Sequence, residues 1–265
     1  SNHMSVETVN FGGIIANNIT FSYEKNNATL KDVCLNVGNS EILGIIGPNG
    51  SGKTTLIKCL NKILEPLQGE ILLNGKNLEG MKQAKIAKEI SYVPQNSKND
   101  MVSPNVYDVV EMGRRPHVSW NYTEKDEHLV WKAMEDLDVA QLASNSFDAL
   151  SSGQTQRVLI ARAIAQEAKI LLLDEPTSNL DIRYQYEVMN MVQEIVKSRC
   201  VSACIIVHDL DLALKYCDRL ILMCGGESLK IGTAEEVLTP ELVKEAYGID
   251  ISVEYIKGRK RVIVL

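Results

Sequence analysis

Two kinds of apolar pattern divide the chain. Short alternating runs come first: Gly13-Ile14-Ile15-Ala16, Ile19-Thr20-Phe21-Ser22-Tyr23 and, after Asn26-Asn27, Val33-Cys34-Leu35-Asn36-Val37. From Val6 to Val37 this alternation predicts antiparallel strands joined by turns, with one face buried. Apolar runs follow at Glu41–Ile46, Lys169–Leu173 and Ala203–Val207, with Ile90-Ser91-Tyr92-Val93 beside them. Runs apolar on both faces suit the inner strands of a parallel sheet.

Helical periodicity separates these runs. Residues 52–64 place Leu56, Ile57, Leu60, Ile63 and Leu64 on one stripe, and residues 81–88 form a shorter helix. From Pro104 to about Ala143 the pattern is helical, with Ser103-Pro104 as cap and first turn and Thr123-x-x-Asp126 ahead of Leu129, Val130, Ala133, Met134 and Leu137. Two further helices are expected. One spans residues 154–166, and the other runs from Asp181 to about Ser198 with Val188, Met191, Val192 and Ile195 inward. Gly69–Leu73 reads as a strand entering the Asn74-Gly75 turn, and Leu220–Met223 with Leu229–Ile231 as a hairpin around Gly225-Gly226. Thr233 and Thr239 then open two short helices, Gly248 ends the second, and residues 251–256 and 261–264 make a terminal hairpin. Alternating strands and helices predict an α/β fold, with an antiparallel β part at its start and an inserted helical segment.

Composition narrows the class. With 265 residues and 45% apolar content the chain can bury a full core. Ser1–Met4 reads as a tag scar, and the absence of any window of about 18 unbroken apolar residues points to neither a signal peptide nor a spanning helix. Cys34, Cys59, Cys200, Cys204, Cys217 and Cys224 lack paired C-x-x-C spacing and read as reduced core residues. A net charge of -6 argues against general nucleic-acid binding, which needs a basic footprint. The cluster Lys257–Arg261 surrounds Gly258 and reads as a solvated turn.

The chemistry concentrates at residues 47–55, Gly47-Pro48-Asn49-Gly50-Ser51-Gly52-Lys53-Thr54-Thr55. This is the G-x-x-x-x-G-K-[ST] spacing of a phosphate loop: backbone amides cradle phosphates, Lys53 reaches the terminal ones, and Thr54 can hold magnesium. It lies between an apolar strand and a helix start, where unpaired amides and the helix dipole favour an anion. Polar residues also end the other apolar strands. Gln95 follows Pro94 and is either a loop residue or a ligand of metal or water. Asp174 and Glu175 suit two jobs, orienting magnesium through water and polarising an attacking water. His208 is either a structural histidine or a third polar group aimed at the crevice where ligands of α/β sheets bind. Leu150-Ser151-Ser152-Gly153-Gln154 opens a helix and exposes a hydroxyl and free amides. Tyr23 fits a half-buried strand position and also a base-stacking one. Gly113-Arg114-Arg115-Pro116-His117 reads as a solvated loop, with partner contact as the alternative.

Taken in order, the phosphate loop, Gln95, residues 150–154, Leu171-Leu172-Leu173-Asp174-Glu175-Pro176-Thr177, Ser178-Asn179-Leu180-Asp181 and His208 resemble the ATPase subunit of an ATP-binding cassette (ABC) transporter, over about residues 14–240. The resemblance implies a P-loop NTPase (RecA-like) core. It makes residues 47–55 the Walker A loop, Tyr23 the adenine-stacking aromatic, Gln95 the Q-loop glutamine, and Ser151, Ser152, Gly153 and Gln154 the signature. Asp174 becomes Walker B, Glu175 the catalytic carboxylate, residues 178–181 the D-loop and His208 the switch histidine. ATP and Mg2+ are the implied ligands, with Lys53, Gln95, Glu175 and His208 acting in catalysis and Thr54, Gln95 and Asp174 around the metal. Residues 5–265 become one ABC ATPase domain: 5–95 and 155–232 the nucleotide-binding core, 96–154 the helical subdomain, and 233–265 a C-terminal extension.

The family pairs two such subunits head to tail, so the resemblance implies a homodimer. It also implies membrane permease subunits docked in the cleft between the Q-loop and the helical subdomain, an indirect extracytoplasmic substrate-binding protein, and a place at the cytoplasmic face of the membrane. Val106-Tyr107-Asp108-Val109-Val110, the 113–117 segment, and Glu236-Val237-Leu238-Thr239-Pro240-Glu241-Leu242 with Tyr247-Gly248 further resemble importers of ferric siderophores, haem and cobalamin. Rival readings are an exporter ATPase, a soluble ABC ATPase of DNA repair or translation, and a nucleotide-sensing module. The soluble class typically has coiled-coil insertions or two cassettes in one chain, and this sequence has neither. Lys53, Glu175 and His208 weigh against a mere sensor. The pattern departs from the family at Ser152, where the usual signature has glycine, and at Thr155, where a basic residue is common.

Overall fold

The computed structural model describes residues 13–95 and 103–265. Expectations that fall on residues 1–12 and 96–102 lie outside it. Antiparallel strands β1 (Gly13–Glu24) and β2 (Asn27–Gly38) open the chain. The two alternating runs before Asn26 are one strand, not two. A bulge at Asn17-Asn18, where Asn18 takes φ 52°, keeps the buried face inward across the irregularity. Next come β3 (Ile42–Ile46) and α1 (Lys53–Leu60). This helix ends a turn early: Lys62 adopts φ 58° and the Leu64 amide closes back on the Lys58 carbonyl. Ile63 is therefore left exposed rather than on the buried stripe.

The chain continues through β4 (Gln68–Leu73), β5 (Lys76–Asn77), α2 (Gln83–Glu89) and β6 (Ile90–Val93). The helical segment holds α3 (Val106–Glu111), a 3-10 turn Met112–His117, and α4 (Glu124–Asp136). Asn105 caps α3 by accepting from the Asp108 amide. Ser103 instead bonds Ser146 and the Asp148 amide, so the cap sits two residues later than its sequence signal. Thr123 and Asp126 form the expected capping box on α4.

Then follow α5 (Ser152–Ala165), β7 (Ile170–Asp174), α6 (Ile182–Arg199), β8 (Ser202–Ile206) and α7 (Leu210–Tyr216). On α6 the buried methionine is Met189, while Met191 is only partly covered. The last elements are β9 (Arg219–Cys224), β10 (Glu227–Thr233), α8 (Ala234–Val237), α9 (Pro240–Tyr247) and the hairpin β11 (Ile251–Ile256) and β12 (Arg259–Val264). Thr233 and Thr239 cap α8 and α9, and Gly248 ends α9 at φ 70°.

The central sheet has the order β10-β9-β3-β8-β7-β6, parallel except for β10. A second sheet, β2-β1-β4-β5, is antiparallel. Helix α1 is packed between them: Leu56, Ile57 and Leu60 share one core with Ile14, Val33 and Ile71 of the smaller sheet and Leu43, Leu172 and Ile206 of the larger. The opposite face of the central sheet carries a second core formed with the remaining long helices. The apolar runs lie inside this sheet, so each carboxyl end opens on one crevice.

Two cysteine expectations fail. Cys34 faces outward on an alternating strand, and Cys200 is the exposed left-handed cap of α6 at φ 52°. All six are free thiols, and burial raises Cys59 and Cys204 to about 12. No helix among the described residues is long and apolar enough to cross a membrane.

The 113–117 segment is also not a solvated loop. Arg114 is 3% exposed, and its Nε donates to Asp126 Oδ1 at 2.8 Å. Its Nη1 donates to the Ala165 carbonyl at 2.8 Å and to Glu167 Oε1 at 2.9 Å. The guanidinium joins the helical segment to the carboxyl end of α5, while Arg115 stays exposed.

Candidate active site

Residues 47–52 leave β3 as a loop wrapped over the start of α1. A Cβ on Gly47, at φ 151°, would lie 2.2 Å from the Met223 carbonyl oxygen, so only glycine fits where the loop crosses β9. Gly52, at φ 97°, faces the Thr29 carbonyl and Leu30 in the same way. The Gly226 amide donates to the Ser51 carbonyl at 3.1 Å, and the Lys31 amide to the Gly226 carbonyl at 2.8 Å. The loop is thus pinned by β2 and by the β9–β10 turn, a wall that no local motif signals.

Lys53 is 6% exposed, and its Nζ donates to the Gly47 carbonyl at 2.5 Å and the Pro48 carbonyl at 3.0 Å. The ammonium is folded over the loop's own concavity. Burial lowers its pKa, against the opposing charges of Glu175 and Asp174. The Ser51 hydroxyl is buried without a partner and lies beside Gly47, 2.8 Å from where a Cβ there would stand. Pro48, Asn49 and Gly50 form the outer lip, with Gly50 at φ 79°.

Thr54 Oγ1 donates to Asp174 Oδ2 at 3.1 Å. Asp174 is 3% exposed and its other oxygen, Oδ1, has no partner. Burial raises its carboxyl above the ordinary range; the Thr54 hydrogen bond opposes this and the charge of Glu175 adds to it. A buried carboxylate oxygen without a donor, beside a threonine hydroxyl at a phosphate cradle, fits a hard divalent cation with oxygen ligands.

Glu175 sits just past β7 at φ 51°. Its Oε1 lies 2.6 Å from His208 Nε2, and its Oε2 accepts from Gln95 Nε2 at 2.7 Å. Gln95 also reaches Ser178 Oγ at 3.1 Å. The ends of β6, β7 and β8 therefore meet around one carboxylate, and Ser178 joins them although only its place in the 178–181 motif hinted at this.

Tyr23 is 61% exposed at the end of β1, with its ring edge-on to Phe21 and its hydroxyl 3.2 Å from Thr55 Oγ1. It stands beside the cradle with a free face.

Ser151, Ser152, Gly153 and Gln154 lie elsewhere, at the start of α5. Ser151 accepts from the Gln154 amide at 3.2 Å, and Gln154 Oε1 accepts from the Ser151 amide at 3.1 Å, a reciprocal cap. Ser151 and Ser152 are exposed. No hydrogen bond joins this turn to the phosphate loop among the described residues, so within one chain the four do not complete the cradle. Ser152 adds its side chain on the open side, away from the core. Thr155 is buried.

The family model described as ABC transporter matches residues 30–178. The uncharacterized ABC transporter ATP-binding protein MJ0089 of Methanocaldococcus jannaschii is 38% identical over 240 residues, which cover 91% of this chain and 93% of that protein. The hemin import ATP-binding protein HmuV of Pseudomonas aeruginosa is 39% identical over 230 residues, 85% of this chain and 89% of that one. Among solved structures, cbiO1 of Clostridium perfringens, part of the transporter complex cbiONQ, superposes with a TM-score of 0.78 at 29% identity, covering 90% of this chain and 96% of that chain.

Proposed function

The chain belongs to the ABC transporter family as an ATP-binding subunit and is an ATPase, and from that premise we propose that it powers import of an iron complex or cobalamin through a membrane permease. The observation that carries the ATP-driven pairing in this reading is the split of the site. The phosphate loop with its held carboxylate and the exposed, capped helix start at Ser151 are separate parts of the same chain, with no hydrogen bond between them among the described residues. A triphosphate carries more charge than one loop satisfies, and the helix start of a second copy supplies further donors.

In this reading the γ-phosphate takes the place of the carbonyls now holding Lys53, and the ammonium turns to it. Bound magnesium would supply Lewis-acid neutralisation of the phosphate oxygens, with Thr54, Asp174 and Gln95 as its protein partners. Glu175 orients the attacking water and accepts its proton, His208 fixes the carboxylate from one side, and Gln95 from the other. Tyr23 stacks on the base. ATP favours the closed pair and the products do not, so hydrolysis reopens it. The cargo class is supported by the likeness of residues 106–117 and 236–248 to iron-complex and cobalamin importers, and by the haem-import relative.

Glu175→Gln with magnesium and ATP tests the motor. Light scattering should show a stable dimer with bound, unhydrolysed ATP. A variant that binds ATP yet stays single at high concentration, even with its permease, overturns the reading. Copurification with the permease, then finding which cargo raises ATPase activity, tests the import assignment.

A further inference from the structure

The signature turn and the helix that follows the 178–181 loop are joined by two successive rungs. In the first, Gly153 packs on Tyr184 of α6. A Cβ built on Gly153 would lie 3.3 Å from Tyr184 Cδ1 and 3.4 Å from Cγ, and its three nearest atoms all belong to that side chain. In the second, one turn along α5, Arg157 Nη2 donates to Glu187 Oε2 at 3.1 Å. Glu187 Oε1 accepts from Arg183 Nε at 3.0 Å, and the Arg183 guanidinium carbon lies 5.9 Å from the centre of the Tyr184 ring. The spacings 153 to 157 and 184 to 187 put each rung on the facing stripe of its helix.

Gly153 does not have a positive φ, so backbone freedom does not explain its glycine. The Tyr184 side chain crowds its Cβ position instead: at 3.3 Å the contact is tighter than ordinary packing, and the ring must give by a few tenths of an ångström to admit a methyl group. Tyr184 is 42% exposed, its hydroxyl has no hydrogen bond among the described residues, and neither core requires it.

We infer that Tyr184 is a positioning residue for the half of the ATP site offered to the partner. Its ring fills the side-chain space of Gly153 and sets the height of the Ser151–Gly153 turn against the 178–181 loop. The two segments then meet the second copy as one body. This rests on the dimer reading above and adds the residue that shapes the dimer's face.

The experiment uses the full chain in the Glu175→Gln background, reading the dissociation constant of the ATP-bound dimer and, separately, the affinity of the single chain for MgADP. Tyr184→Ala should weaken the dimer about tenfold or more with MgADP affinity unchanged, because the cradle lies on another part of the chain. Tyr184→Phe should behave like the parent, since only the ring is used. Gly153→Ala should weaken the dimer, and adding Tyr184→Ala should recover part of that loss, the coupling expected of two groups sharing one space.

A parent that never pairs removes the dimer reading and this inference with it. A parent that pairs while Tyr184→Ala pairs equally well removes the inference alone. So does a Phe variant as weak as Ala, a double variant no better than Gly153→Ala, or an Ala variant that also loses MgADP affinity, which would mark Tyr184 as support for the fold.

Discussion

Glu175 and His208 come from neighbouring strands, β7 and β8, and meet at 2.6 Å, with Gln95 holding the carboxylate's other oxygen at 2.7 Å. The carboxylate is therefore held from both sides. His208→Ala should keep ATP affinity and lower the hydrolysis rate on the order of 100-fold, because it frees a base without touching the cradle. Single-turnover kinetics beside an equilibrium binding titration separate the two; an unchanged rate would remove His208 from the reaction.

Lys53 is held over the cradle by two carbonyls that a phosphate would replace. Lys53→Ala should reduce turnover by about 100-fold or more and weaken ATP binding. The Gly47–Pro48 carbonyls would then face a triphosphate with no cation between. Normal hydrolysis in this variant would refute the phosphate-loop assignment.

Burial raises the Asp174 carboxyl, so its sign is that of a destabilising acid. Its contribution to stability is intact below the unfolded value of about 3.9 and is lost as pH rises through the folded value. Asp174→Asn should therefore raise the melting temperature of the nucleotide-free protein at neutral pH while removing magnesium-dependent turnover. A lower melting temperature at pH 7 would contradict this account.

Arg114 and Arg115 are adjacent and should behave differently. Arg114→Ala leaves Asp126 buried without its cation and should cost about 3–5 kcal/mol, read in urea unfolding. The Asp126 carboxyl feels burial first, which would raise it, but bonds from Thr123 and Arg114 outweigh this and hold it below the ordinary range. Its contribution is thus present above about 3.9 and fades as pH falls through the folded value. Arg115 is exposed. Arg115→Glu should leave the melting temperature and basal ATPase unchanged and lower transport in vesicles carrying the permease; a fall in basal ATPase would place Arg115 in catalysis or folding instead.

Much of this was legible along the chain. The apolar runs marked the parallel strands, and the caps at Thr123, Ser151, Thr233 and Thr239 marked helix starts, because both signals act within a few residues. The phosphate loop was legible for the same reason, its spacing being a local backbone requirement. Arg114 was not. Its partners Asp126 and Glu167 are 12 and 53 residues away, and nothing in Gly-Arg-Arg-Pro-His distinguishes a buried cation from a solvated one. Ile63 fitted the helical stripe, yet the turn at Lys62 closed first.

The sequence by itself marked the candidate site residues, at the phosphate-loop spacing and at the polar ends of the apolar strands, and the elements that hold them. Only the tertiary structure decided that Gln95, Glu175 and His208 share one carboxylate, that Met223, Gly226 and Lys31 brace the phosphate loop, and that Tyr184 fills the space beside Gly153. These contacts join residues far apart in the chain. They depend on strand order and helix packing, which short-range periodicity does not encode.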